Sequence, residues 1–196
     1  MPAVAQFPMG GTAMAYLQHM LRILKLDRAV YRELAATQLP LRYCLANVSV
    51  LGLIYGLSSV QFAGDLLARQ TESAVVFNAW MILMVGVSIA FLMHGGLALF
   101  VWVFSRGIGG NPLFMPAYLY IGTAAIGLWP LAPAASALQA GVGGAAAIGA
   151  AAVAAVYGAA VLFVAVKAAS RLSTLKMTLA SAATVVYVGC FLYLWL

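Results

Sequence analysis

The segment at about 76–104, "VFNAWMILMVGVSIAFLMHGGLALFVWVF", contains no Asp, Glu, Lys or Arg. A helix crosses the roughly 30 Å hydrocarbon core of a bilayer with about 20 apolar residues. This run is longer than that, so it is expected to tilt or to extend past the lipid. The whole chain agrees: 65% of its residues are hydrophobic and 7% charged, against about 25% charged in a soluble domain. So few charges cannot cover a water-soluble globule, and the natural solvent of the chain is lipid.

Four further segments qualify as spans, at about 43–62, 116–136, 142–166 and 177–196. The expected fold is therefore an all-α polytopic transmembrane bundle of five helices. Lys and Arg set its orientation. Arg22, Lys25, Arg28, Arg32, Arg42, Arg106, Lys167, Arg171 and Lys176 fall on one side, and Arg69 alone, beside Asp65 and Glu72, on the other. That bias predicts a cytoplasmic N-terminus and an outer C-terminus. Trp80, Trp102, Trp129, Trp195, Tyr43, Tyr118 and Tyr120 lie near span ends, as interfacial aromatic residues do. The first 21 residues lack a basic start, and Gly10-Gly11 interrupts them, so no cleavable signal peptide is expected. The net charge of +6 does not indicate nucleic acid, because the basic residues flank apolar runs and form no phosphate-binding face.

Residues 1–42 form a separate N-terminal segment. In "AMAYLQHMLRILKL", Met14, Leu17, Met20, Leu21 and Leu24 share one face at helical spacing, and Gln18, Arg22 and Lys25 the other. Asp27 can cap a second short helix that ends at Leu39-Pro40. This amphipathic stretch, with Arg22, Lys25, Arg28 and Arg32, suits a cytoplasmic lipid surface. Docking of its apolar face onto the bundle or a partner fits equally well. Residues 43–196 make up the transmembrane domain, in which the Ala/Gly-rich stretch 141–160 reads as a central, closely packed helix.

Sites for chemistry are few. His94 is the one ionisable side chain placed deep in a span, which makes it a functional candidate. It could relay a proton or line a polar path. The plainer role is a neutral His bonded to a neighbouring helix, with Gly95 and Gly96 allowing close approach, and no span offers it an acidic partner. Gly52 and Gly56 form a GxxxG packing face, for the bundle or for a homodimer. Asn47, Asn78, Ser49, Ser58 and Ser59 suit interhelical hydrogen bonds. Cys44 and Cys190 differ in expected depth by roughly 20 Å, too far for a disulfide. The two Cys and two His are too dispersed for a metal site. No zinc-protease, nucleophile-elbow or phosphate-loop motif occurs, so no enzyme activity, cofactor or metal is expected. "GIGGNP", with Gly109, Gly110 and Pro112, reads as a tight cytoplasmic hairpin: the glycines end one helix and Asn111-Pro112 starts a turn. Pro130 and Pro133 are expected to end or kink the third span.

Over roughly residues 20–190 this order of features resembles the Ypt-interacting protein (YIP) family and its bacterial relatives. Leu24, Asp27 and Tyr31 carry the resemblance in the N-terminal segment. Gly109-Gly110 with Phe114, then Gly122 and Pro130, carry it later. The chain departs from the family in having "LDRAVYREL" where a proline is usual near Asp27, and in lacking the long cytoplasmic tail of eukaryotic members. Those members associate with Rab GTPases, a role that does not transfer to a chain without the tail. The resemblance implies five spans, a cytoplasmic N-terminus and, for a bacterial-type member, the inner membrane. The expected partners are the lipid bilayer and other membrane proteins or a second copy. The expected role is a non-catalytic scaffold, accessory subunit or membrane-organising factor, and the alternative is a small transporter or channel using His94.

Overall fold

The computed structural model describes residues 9–64, 72–142 and 144–195, and all regular structure among them is helical. Helices α1 (Met9–Leu24) and α2 (Ala29–Ala35) precede α3 (Leu39–Phe62) and the long α4 (Glu72–Gly107). Next come α5 (Phe114–Ala124), a 3₁₀ turn (Ala125–Leu128), α6 (Leu131–Gln139), α7 (Ala145–Ser170) and α8 (Thr174–Trp195). Three helices, Leu39–Phe62, Ala74–Gly107 and Ala145–Ser170, are long and apolar enough to cross a membrane. The α5–3₁₀ unit and α6 pass that test together but meet at 72°. By length and composition these helices are compatible with an integral membrane location.

The kink expected in the span at about 116–136 is that 72° bend. Pro130 has no N–H to continue a helix and its ring clashes with the carbonyl four residues back, so the break falls there. Pro133 does not stop the chain, because in the first turn of α6 its N–H would have no partner in any case. Pro40 needs the same correction: it stands in the first turn of α3 and starts that helix. Arg69 and Asp65, used in the charge count, lie outside the described residues.

Helices α3 and α4 pack antiparallel at close backbone approach. A Cβ added at Gly52 would stand 2.6 Å from Val87 Cα, and one at Gly56 3.0 Å from Leu83 Cα. Gly86, on α4, answers them: its Cβ would lie 2.8 Å from Gly56 Cα. The Gly52/Gly56 face is thus filled from within the bundle. Gly96 faces Tyr187 of α8, with the phenol oxygen 3.3 Å from its Cβ position. Gly95 is a correction, since a Cβ there meets nothing within 4 Å. It is one residue, or about 100°, away from His94 around the helix, and its side points outward.

Helices α1 and α2 dock on the bundle. Met20, Ile23, Val30, Tyr31 and Leu34 join Tyr43 of α3, Ala124 and Ile126 of the bent segment, and Val161 and Val164 of α7 in one core cluster. The Tyr157 hydroxyl of α7 donates to Leu24 O at 2.8 Å and pins the end of α1. The face expected to be uniform is split. Met20 is buried, while Met14, Leu17 and Leu21 are exposed. Docking and an outward apolar stripe therefore coexist on one helix.

The 107–113 hairpin closes as the sequence predicts. Gly109 has φ +89°. Gly110 N–H donates to Ser105 O at 2.7 Å and Gly109 N–H to Arg106 O at 3.1 Å, the paired bonds of a left-handed helix C-cap. Gly110 is needed for space, because its Cβ would stand 2.7 Å from Ser105 O. The hairpin also holds α7: Asn111 N–H donates to Ser170 O at 2.8 Å and Asn111 Nδ2 to Ala169 O at 3.0 Å.

Candidate functional site: a buried polar junction

His94 is buried on α4 where α3 and α5 converge on it. Its Nε2 lies 3.5 Å from Cys44 Sγ of α3, and its ring centroid 4.4 Å from that of Tyr118 on α5. Gly122 of α5 closes the remaining side. A Cβ there would overlap Cys44 Sγ and stand 2.9 Å from His94 Cε1. Three helices thus approach one imidazole because α5 presents hydrogen instead of a side chain at residue 122. Cys44 is wholly buried, so neither the thiol nor the imidazole is open to a reactant.

One turn further along α3, Asn47 is fully buried and bonded on every side. Its Oδ1 accepts from Tyr16 OH at 2.6 Å, and its Nδ2 donates to Thr123 O at 2.6 Å. Its main-chain carbonyl accepts from Trp129 Nε1 at 3.1 Å. Thr123 lies just before the change from α-helical to 3₁₀ bonding, where a carbonyl loses its usual donor. Asn47 supplies that donor and so holds the bend, α1 and α3 together. Thr123 Oγ1 donates back to Leu119 O at 2.7 Å and, across to α3, to Pro40 O at 3.3 Å. Tyr43, buried, stacks edge-on with Tyr16 and takes a 3.1 Å contact from His19 Nδ1. Tyr43 and the indole N–H of Trp129 therefore point into the protein.

Other polar positions separate into two groups. Ser59 bonds across to Ser136 of α6 at 2.9 Å, whereas Ser58 bonds only its own helix, to Ile54 O at 2.8 Å. The Tyr31 hydroxyl and Ser105 Oγ are buried without a hydrogen-bond partner, and burial pushes the Tyr31 phenol pKa up.

Of the basic residues of the N-terminal segment, Arg22 is ion-paired within the protein. Arg22 is engaged by Glu33 through two bonds of 2.6 and 2.8 Å and by Asp27 at 2.8 Å. Asp27, expected to cap α2, lies one residue before its N-cap Arg28 and accepts Ala29 N–H at 2.8 Å. That backbone bond first, then Arg22, lowers the Asp27 pKa, and Arg22 lowers that of Glu33. Lys25, Arg28 and Arg32 are exposed. Among the described residues no group of three or more His, Cys, Asp or Glu could hold a metal ion. Cys44 and His94 together offer two donors.

A second feature has no counterpart in the sequence reading. An apolar groove of about 1070 Å³ runs beside α7, bordered by α6, α8 and the α1–α2 loop, and Arg28 is the charged residue in its lining.

No family model matches this chain, and no curated protein or solved structure matches it.

Proposed function

We propose that this chain is a five-span integral membrane protein acting as a non-catalytic scaffold or accessory subunit. In this reading it has the YIP arrangement, a cytoplasmic N-terminus and an outer C-terminus, in a bacterial inner membrane. The observation that carries the reading is the way the intramembrane polar groups face one another. A path for ions or protons needs polar side chains turned toward water or substrate. Here His94 is enclosed by Cys44, Tyr118 and Gly122, and Asn47 has its amide bonded to Tyr16 and Thr123.

The residues behind the YIP resemblance support the same view, since each has a structural task. Asp27 accepts the first N–H of α2, Tyr31 fills the core, and Gly109 and Gly110 turn the hairpin. Gly122 admits the close packing at His94. For the fifth span, α8 leans on α4 through Tyr187 and Phe100, whose rings stack at 4.4 Å. The orientation rests on the Lys and Arg count.

The test is native mass spectrometry of the tagged chain, extracted in mild detergent at native abundance. A stoichiometric membrane protein of different sequence is the expected companion. A lone monomer would overturn the accessory-subunit role. Flux through liposomes containing the wild type and His94→Ala addresses the transporter alternative, and a flux that the variant abolishes would replace the scaffold reading.

A further inference from the structure

We propose that the groove beside α7 binds an acidic glycerophospholipid, with its acyl chains along α7 and its phosphate on Arg28. The proposal rests on the membrane placement of the preceding reading and not on the scaffold role.

The lining describes its occupant. Ala151, Ala155 and Ala159 lie along one side of α7 and leave the groove open where larger side chains would fill it. Leu131 and Leu138 of α6 and Val185 of α8 form walls. The polar residues of the lining other than Arg28 are uncharged, and three of them have an oxygen bonded within the protein. Gln139 Oε1 accepts from Tyr55 OH at 2.5 Å. Ser181 donates to Met177 O at 2.9 Å and Thr184 to Ala180 O at 2.8 Å, which turns their hydroxyls back onto their own helix. Arg28 has no hydrogen bond or ion pair among the described residues. An apolar cleft with one unpaired cation is complementary to an apolar body with one anionic end. A planar guanidinium suits phosphate oxygens in particular, which it can bind in a two-pronged fashion.

Size suits a large apolar occupant. The volume of about 1070 Å³ is at the upper limit of small-molecule pockets, roughly 300–1,000 Å³. Along α7 the lining runs from Ile148 to Val166, which is roughly 27 Å at 1.5 Å per residue, long enough for a lipid of one leaflet, which with its headgroup region measures about 20 Å. Leu26, which also lines the groove, ends α1 in the left-handed conformation, with φ +62°. Its N–H donates to Ile23 O at 2.9 Å and Asp27 N–H to Arg22 O at 3.0 Å, the paired bonds of a helix C-cap, and this cap fixes the loop that carries Arg28.

The test uses the full chain in mild detergent, with phosphatidylglycerol or phosphatidylcholine of identical acyl chains added, and bound lipid counted by native mass spectrometry. Phosphatidylglycerol should be retained about fivefold better, the order expected of one basic residue facing an anionic headgroup. Arg28→Gln should remove that preference and leave phosphatidylcholine binding unchanged. Arg42→Gln, an exposed arginine outside the groove lining, should leave the preference intact. Ala159→Phe should lower retention of both lipids. Equal retention of the two lipids by the wild type would overturn the proposal. So would a preference that survives Arg28→Gln, or one lost equally in Arg42→Gln. A dimer that Ala159→Phe dissociates would assign the groove to a second copy instead. A lone monomer in the partner experiment leaves this lipid preference fully measurable.

Discussion

Gly122 is where three helices depend on one missing methyl group. In Gly122→Ala the new Cβ meets Cys44 Sγ and His94 Cε1 at less than contact distance. Both neighbours are buried. Overpacking of this kind costs typically about 1–3 kcal/mol, and that loss is expected in unfolding of the detergent-solubilised protein. Adding Cys44→Ala removes the sulfur that the methyl group strikes, so the double variant should regain part of the lost stability. A double variant no better than Gly122→Ala would place the strain elsewhere. Asn47 provides a second measurement at this scale. Asn47→Leu leaves Thr123 O and the Tyr16 hydroxyl without their 2.6 Å partner, and buried groups left unpaired cost roughly 1–3 kcal/mol. The same unfolding assay should show that loss, and Asn47→Ala should show no less. His94 could be read as buried from its neighbours in sequence, but Cys44 could not be read as its partner. The two are 50 residues apart, and nothing in helical periodicity aligns the depth of one helix with that of the next.

At the scale of elements, punctuation by Gly and Pro was legible where it is local and hidden where it depends on position within a helix. Gly109 ends α4 because a left-handed residue is needed there, and glycine signals that directly. Pro40 and Pro133 looked like terminators but occupy first turns, where the missing N–H has no consequence. The two hairpin glycines should respond differently to Ala. Gly109→Ala meets a left-handed penalty of about 1 kcal/mol. Gly110→Ala also drives a Cβ to 2.7 Å from Ser105 O and 3.1 Å from Ser170 O, so it should destabilise more in thermal unfolding and loosen the end of α7. The α1–α2 hairpin carries a pH response. Asp27 and Glu33 have lowered pKa values in the folded protein. Their contribution is therefore present above the ordinary carboxylate pKa of about 4 and is lost as pH falls through the depressed folded values. Hydrogen-exchange protection of α1 and α2 should be level from neutral pH to about 4.5 and fall below about 4. In Arg22→Gln the acid-sensitive part should shrink.

The split face of α1 shows why the docking question was open at the level of sequence. Tyr16, Met20 and Ile23 lie on one side of the helix and Met14, Leu17 and Leu21 on another, and both sets are apolar. A helical wheel merges them, and only tertiary contacts with Asn47, Tyr43 and Val161 distinguish the buried set. The same holds for the whole molecule, in which the bent segment decides the topology. A bent helix pair either crosses the membrane or dips in and returns. Helix α5 stands beside Cys44, through Gly122, and α6 beside Tyr55 and Ser59, through Gln139 and Ser136. Between those levels α3 climbs roughly 20 Å at 1.5 Å per residue, a large part of the hydrocarbon core. This favours a crossing, and with it the proposed odd number of spans. In a Cys190→Ser background, which leaves only the buried Cys44, cysteines introduced one at a time at Leu113, Ala140 and Ser173, all exposed positions, should separate under a membrane-impermeant thiol reagent. Leu113→Cys and Ser173→Cys are expected to label from one side and Ala140→Cys from the other. Labelling of Ala140→Cys from the same side as Leu113→Cys would make the bent pair a re-entrant loop. The C-terminus would then move to the cytoplasmic side, and the charge bias that set the orientation would have to be counted again.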